Sequence, residues 1–445
     1  MHRLIIHKLG PVDDCDITCT QFMTFTGFQA SGKSTITKAI FYFRTMKDDI
    51  YEIAKEQALR KQSAQITSGT TNLKKMFLDK LREKFLRLFG SSWGMNNDMR
   101  LKYYFTEQCY VELSLHDQTA YPTPNYIWID ISPALEAFLK SHNHKLAANA
   151  LGIPELQEER FKAELRELFA DEYSVVYIPA GRSMLTLLSQ QLNYIYTTME
   201  ASQRRTLDYC TQDYIERILR IKAEFTDGLE GIFAYESTRN KIPKEIMHMA
   251  LHLIDKVLRG RYKFNSGEER IELQNDRYVK INFASSGQQE SVWILNLICY
   301  YLAKGSPVLF MIEEPESHLF PESQKYMTEL LALTRNTKHA VLLTTHSPYV
   351  LGTLNNLLYA AQTAAPQREK VAAVISPLLW LPPETFDAWF VQEAGVQNCM
   401  DREMNLIQNE RIDEISQVIN REFDALFALQ IENTQDIKDE VNICR

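Results

Sequence analysis

Eight consecutive residues, Gly27-Phe28-Gln29-Ala30-Ser31-Gly32-Lys33-Ser34, carry the strongest chemical signal in the sequence. They satisfy G-x-x-x-x-G-K-[ST], with glycine where the backbone must turn tightly and lysine where an anion must be held. The amide N–H groups of such a turn and the positive end of the helix after it face the same anion. A nucleoside polyphosphate with Mg²⁺ is the expected ligand. Residues Gly27 to Thr35 would line it, Lys33 would reach the β- and γ-phosphates, and Ser34 would ligate the metal. A second cluster, Val308 to Ile312 followed by Glu313 and Glu314, is an apolar strand that ends in two carboxylates. Acids delivered to the C-terminal edge of a sheet stand where ligands of α/β folds bind. Glu313 is expected to hold Mg²⁺ through water, and Glu314 to orient or deprotonate an attacking water.

Between these clusters lies Ala284-Ser285-Ser286-Gly287-Gln288-Gln289, which resembles the L-S-G-G-Q signature of ABC-type ATPases. In isolation such a Ser-Gly turn is a helix N-cap. The resemblance implies more: in that class the segment caps the γ-phosphate held by the opposite subunit. Ser285, Ser286, Gly287 and Gln288 would then act in trans, in a homodimer or a multiple of dimers sandwiching ATP. Pro315-Glu316-Ser317-His318-Leu319 stands where the class has its D-loop. His346, after Val341-Leu342-Leu343-Thr344-Thr345, stands where it has a γ-phosphate-sensing histidine. Lys33, Glu314 and His346 are thus the expected catalytic set. Three departures accompany the likeness: Glu313 replaces the usual Asp, Ala284 and Ser286 replace the Leu and first Gly of the signature, and Gln108 is a weak stand-in for the metal-contacting glutamine. Slow turnover is expected.

Spacing narrows the resemblance. Lys33 and Ser285 are more than two hundred residues apart, farther than in an ABC transporter subunit, and no sustained heptad repeat fills the gap as in an SMC-type protein. Glu313-Glu314-Pro315-Glu316-Ser317-His318-Leu319-Phe320-Pro321 and Thr344-Thr345-His346-Ser347-Pro348 resemble motifs of the RecF-, OLD- and AAA-type group. Tyr177-Ile178-Pro179-Ala180-Gly181-Arg182-Ser183 resembles a segment of the ATPases of two-gene anti-phage systems, the PARIS ATPase and, at greater distance, the Septu ATPase. That likeness implies an ATP-dependent sensor or scaffold, triggered by a phage protein, that controls a separate effector such as a Toprim-type nuclease. The alternative is a RecF-like DNA-binding ATPase of DNA repair. DNA contact would use Lys74, Lys75, Lys80, Arg82, Lys84 and Arg87, or Lys256, Arg259, Arg261 and Lys263. Interleaving of the first group with Phe77, Leu81, Phe85 and Leu88 favours an amphipathic helix over a DNA-facing surface.

The elements that must position these groups can be traced along the chain. Runs at 3–9, 15–20 and 22–26 read as strands, the third entering Gly27 directly. A helix is expected from Ser34 to about Phe43, charged helical sequence to about Phe89, and a hairpin over Leu101 to Leu115. Pro133 to about Arg259 reads as mostly helical, interrupted at Val175 to Arg182. Beyond Val279 strands and helices alternate: Glu290 to Leu302, Val308 to Ile312, Glu322 to Leu333 and Ala340 to Thr345. The expected class is α/β, an ABC-type head with a split mixed sheet, helices on its faces and a helical insertion. Residues 1–46 and 101–132 would form an N-terminal lobe, 47–100 a helical segment, 133–279 an insertion for partner, sensor or dimer contacts, and 280–445 the C-terminal lobe. The tail reads as strand around Trp380 to Val391 and an amphipathic helix, Ile412 to Leu429. It lacks a D-x-D motif and the length of a Toprim domain, so a nuclease, if the system has one, is expected on a separate chain. A net charge of -8 argues against binding nucleic acid or membrane by overall charge. The seven cysteines have no zinc-ligand spacing, and no apolar run is long enough to span a bilayer. A cytoplasmic protein with reduced thiols and no membrane partner is expected.

Overall fold

The computed structural model describes residues 2–62, 72–116, 126–148, 155–187, 208–240, 242–275, 277–392, 395–408 and 418–426. The chain opens with β1 (Arg3–Leu9), β2 (Val12–Thr18) and β3 (Phe22–Gly27), then α1 (Lys33–Arg44), α2 (Met46–Gln62) and α3 (Leu73–Phe89). After β4 (Arg100–Tyr104), β5 (Tyr110–His116) and β6 (Tyr126–Ile131) come α4 (Pro133–Ala148), α5 (Glu155–Phe169), β7 (Ser174–Ile178) and α6 (Arg182–Leu187). Helices α7 (Tyr209–Ile221), α8 (Gly228–Asn240) and α9 (Lys244–Leu258) precede β8 (Arg261–Asn265), β9 (Glu268–Glu272) and β10 (Tyr278–Lys280). The last stretch runs α10 (Ser286–Lys304), β11 (Val308–Glu313), α11 (Pro321–Arg335), β12 (Ala340–Thr344), α12 (Pro348–Val374), β13 (Phe386–Gln392) and β14 (Gly395–Asn398).

Two large sheets result, and the fold is mixed α/β. One is antiparallel, in the order β2-β1-β4-β5-β6; the other is β14-β13-β3-β12-β11-β7, parallel except for the β13–β14 hairpin. The period-two geometry of a strand divides the second sheet between two cores. Met23, Phe25, Val175, Tyr177, Leu309, Met311 and Leu342 face the core shared with α1 and the first sheet. Phe22, Val176, Ile178, Phe310, Ile312, Val341 and Leu343 face the core shared with α9, α10 and α11. Burial on both faces explains why β11 and β12 are apolar without alternation.

The expected two-lobe division is simpler than the observed pairing. β3, near the N-terminus, lies between β12 and β13. β7, which interrupts the expected helical insertion, is instead the edge strand beside β11. Residues 133–279 also carry the antiparallel sheet β10-β9-β8, so the segment is not wholly helical. Helix α3 buries Leu73, Phe77, Leu81, Phe85 and Leu88, the i, i+4 stripe expected of an amphipathic helix. Within the tail, the strand starts at Phe386 rather than Trp380. Residues 418–426 are helical with Ile419, Phe423 and Leu426 exposed; Ile412, Ile415 and 427–429 of that expected helix lie outside the described residues.

Candidate nucleotide-binding site

β3 enters the turn at Gly27, and α1 begins at Lys33. The turn needs left-handed backbone at Gly27 (φ 139), Ala30 (φ 62) and Gly32 (φ 105), a region that glycine enters without steric cost. At Gly27 a second constraint applies, because a Cβ there would lie 2.1 Å from the carbonyl oxygen of Val391 on β13. Lys33 is buried, and its Nζ donates to the carbonyl oxygens of Phe28 at 2.6 Å and Gly27 at 3.1 Å. Burial holds its ammonium below the ordinary lysine value, against the pull of the Glu314 and Glu316 carboxylates. The hydroxyl of Ser31 is buried with no protein partner. This turn therefore fits a polyphosphate: a folded-back ammonium, an unpaired hydroxyl and the first turn of α1 converge on it. Ser34 is exposed beside it. A cleft of about 550 Å³ lies beside the first turns of α1, with Gly10, Pro11, Ser34, Thr35, Lys38 and Phe89 among its lining.

β11 brings Glu313 and Glu314 to the same edge as β3, because β12 pairs in parallel with both strands. Glu313 is buried; one oxygen accepts from the Tyr177 hydroxyl at 2.8 Å and the other from the Ala180 amide at 3.0 Å. The Tyr177 hydroxyl also lies 3.0 Å from Thr37 Oγ1 on α1, linking the acid to the helix of the phosphate loop. With one donor on each oxygen, Glu313 keeps lone pairs free for a hydrated Mg²⁺, and the hard oxygen donors Ser34 and Glu313 suit that ion.

Glu314 has φ 42, an uncommon conformation for a residue with a side chain. Four contacts to its backbone hold it there: its amide donates to Thr344 O at 3.0 Å and Thr344 Oγ1 at 3.2 Å, while its carbonyl accepts from Arg182 at 2.9 Å and from Ser317 N at 3.1 Å. Its side chain accepts from Ser317 Oγ at 3.1 Å and stands 3.8 Å from His346 Nε2. Burial and the nearby Lys33 charge lower the His346 pKa, which the Glu314 carboxylate partly offsets. Neutral imidazole is thus favoured at neutral pH.

Glu316 is the site residue whose role the sequence does not announce. Its buried Oε1 accepts from Thr345 Oγ1 at 2.7 Å and from the His346 amide at 2.8 Å, so it fixes the backbone that carries the histidine. The signal for it was its place in the Glu313-to-Pro321 motif. Ser285 is the N-cap of α10 in a full capping box with Gln288, whose Nε2 also donates to Leu258 O at 2.9 Å. Ser286 and Gly287 form the first helical residues, and a Cβ on Gly287 would meet His318 O at 2.7 Å, so the signature turn rests on the D-loop turn. Gln108 is misplaced for a metal contact. It is exposed in the turn between β4 and β5, and β4 runs antiparallel to β1 with Tyr104 opposite Arg3. The phosphate loop lies past the other end of β1, where Gly10 approaches Thr35, so the length of a seven-residue strand, roughly 20 Å, separates them.

A family model describing the AAA ATPase domain matches residues 1–351. Among solved structures the chain is similar to an Smc head bound to the C-winged helix domain of ScpA, at 11% identity and TM-score 0.38 over 89% of this chain and 96% of that one. It is similar also to the Smc head with an extended coiled coil bound to the C-terminal domain of ScpA from Pyrococcus furiosus, at 12% identity and TM-score 0.38 over 94% and 100%. The SMC head domain from Thermotoga maritima follows at 13% identity and TM-score 0.34, over 89% and 97%. No curated protein matches the chain. The family match takes in the phosphate loop, the strand that carries the paired acids and the histidine after β12, and the chain belongs to the AAA ATPase domain family.

Proposed function

We propose that this chain is an ABC-type ATPase switch that closes as a dimer around ATP and, through that closure, controls a separate effector in bacterial anti-phage defence. The carrying observation is the convergence of Lys33, Glu314 and His346 at one sheet edge, with Glu314 held in a strained backbone by Thr344 and Arg182 from two other segments and by Ser317 of its own turn. Such strain, over-determined by its surroundings, marks a residue whose direction matters. Lys33 would leave the loop carbonyls for the β- and γ-phosphates, and the cleft beside Ser34 and Phe89 would take the nucleoside. Glu314 would orient or deprotonate water, and His346, neutral, would donate to the γ-phosphate from Nε2. Bound Mg²⁺, held by Ser34 and through water by Glu313, would offset phosphate charge. Ser285 to Gln288 would cap the partner subunit's nucleotide with the amides of the first turn of α10. Exposed Phe28, Phe283, Phe320 and Tyr349 lie beside these motifs and are the apolar surface that closure would cover.

The defence role rests on the resemblance of Tyr177 to Ser183, a segment that contacts both Walker-type acids. The effector would be a Toprim-type nuclease on another chain and the trigger a phage protein. DNA repair is the weaker reading, since seven of the ten basic residues it would use are paired with carboxylates: Lys74 with Glu136, Lys80 with Glu52, Arg82 with Asp79, Lys84 with Asp49, Arg259 with Glu322, Arg261 with Glu230 and Lys263 with Glu272. The decisive experiment pairs ATP turnover with nucleic-acid cleavage. The chain alone should hydrolyse ATP and cut neither DNA nor RNA, Glu314→Gln should bind ATP without turning it over, and cleavage should appear only with the product of the neighbouring gene. Parental turnover in Glu314→Gln, or cleavage by the lone chain, would sink the proposal.

A further inference from the structure

Arg182 is fully buried, one of the largest side chains in the molecule to be so, and it touches no phosphate-loop residue among its hydrogen bonds. Its guanidinium instead joins two parts of the ATPase machinery that come from different elements. On one side, Nε donates to the carbonyl of Glu290 at 3.1 Å and lies 3.1 Å from its carboxylate, in the second turn of α10, the helix that Ser285 caps. On the other side, Nη1 donates to the carbonyl of Glu313 at 2.6 Å and Nη2 to that of Glu314 at 2.9 Å. The Glu290 carboxylate completes the link by accepting from the amides of Arg182 at 3.1 Å and Ser183 at 2.9 Å, and Thr186 Oγ1 donates to Gln289 O at 3.0 Å. With Nη1 donating also to Pro179 O at 2.7 Å, this planar fork with fixed donor directions holds four carbonyls and faces a carboxylate at once, which a lysine cannot.

We propose that Arg182 is a positioning residue that couples the signature helix to the backbone of Glu314. When a partner subunit's nucleotide engages the first turn of α10, any shift of that helix moves Glu290, and the guanidinium carries the movement to the carbonyl that helps keep Glu314 at φ 42. Relaxation of Glu314 out of this left-handed backbone when that contact shifts would supply the two-state element such coupling needs. This rests on the ATP-sandwich reading above and adds the route by which one subunit's nucleotide aligns the water-activating carboxylate of the other.

The test compares parental protein, Arg182→Lys and the double variant Arg182→Met with Glu290→Gln. The lysine keeps a positive charge opposite Glu290, and the double variant removes both buried charges together, a replacement that buried pairs tolerate. Equilibrium ATP affinity, kcat, melting temperature and turnover against protein concentration are measured for each. Both variants should keep ATP affinity within about twofold and lose about tenfold or more in kcat. Parental turnover per chain should rise with concentration as dimers form, and that rise should be flattened in the variants although ATP still drives their association. A parental kcat in a folded variant overturns the coupling, and so does a loss of kcat matched by equal losses of ATP affinity and melting temperature, which marks a plain scaffold role. Parental turnover that does not rise with concentration would instead fail the sandwich reading itself, whereas a rise that the variants follow in parallel overturns the coupling alone.

Discussion

Glu316 has one side-chain oxygen that accepts twice and another, buried, that has no protein partner. Burial raises its pKa above the ordinary glutamate value, against the hydrogen bonds from Thr345 and His346. The sign of the consequence follows from proton linkage. As pH rises the unfolded chain releases this proton before the folded one does, so the folded state binds more protons across that window and stability falls with rising pH. Glu316→Gln keeps an acceptor for Thr345 and His346 but cannot ionise. Its melting temperature relative to the parental protein should therefore increase as pH is taken from about 4 towards 7. A difference that stays constant over that range would show that Glu316 does not titrate there. At the phosphate loop the prediction is larger. Lys33→Ala removes the ammonium and should weaken ATP by about 1.5–3 kcal/mol, the range for a hydrogen bond to a charged group, or roughly ten- to a hundredfold in Kd. An unchanged ATP titration would remove Lys33 from the site.

Elements decide which of these residues meet. β3 and β13 run in parallel so closely that Gly27 has no room for a methyl group against Val391 O, and its φ of 139 excludes side chains in any case. Gly27→Ala should force the strands apart and strain the loop, costing about 1–3 kcal/mol, and lower the melting temperature by several degrees. Thermal unfolding that matches the parental curve would mean the turn relaxes without disturbing β13. β7 shows how an element can be missed from its sequence. Its five residues, Ser174–Ile178, are too short for periodicity to separate a buried strand from a break between helices. Once paired with β11, the strand delivers Tyr177 to Glu313 across 136 residues of chain and starts the turn that ends at Arg182.

At the scale of the whole molecule the proposed site is incomplete in one copy, since Ser285 would serve the partner's nucleotide. That arrangement makes a mixing experiment informative. Lys33→Ala supplies an intact signature, Ser285→Arg supplies an intact phosphate loop, and neither alone can assemble a site. Mixed in equal amounts with free subunit exchange, they should recover about a quarter of the parental turnover, because half the dimers are mixed and each has one complete site. No recovery, with exchange confirmed by labelled subunits, would place Ser285 in cis, and parental turnover by Ser285→Arg alone would place it outside the reaction.

What the sequence determined by itself was local. The phosphate loop, the two acids after an apolar strand, the signature turn, the histidine and the α/β class are legible because each depends on a few consecutive residues whose types the chemistry restricts: glycine for left-handed backbone, lysine for a polyphosphate, carboxylates at a strand end. The tertiary structure decided everything that depends on pairing across long separations. It put β3 between β12 and β13, made an interruption into the edge strand β7, and set Gln108 at the far end of β1. It also turned Glu316 and Arg182 from motif members with no role assigned into the buried groups that hold His346 and Glu314. The reason is physical: a buried charge is tolerated only where partners from other segments satisfy it, and those partners are chosen by the fold, not by neighbours in the chain.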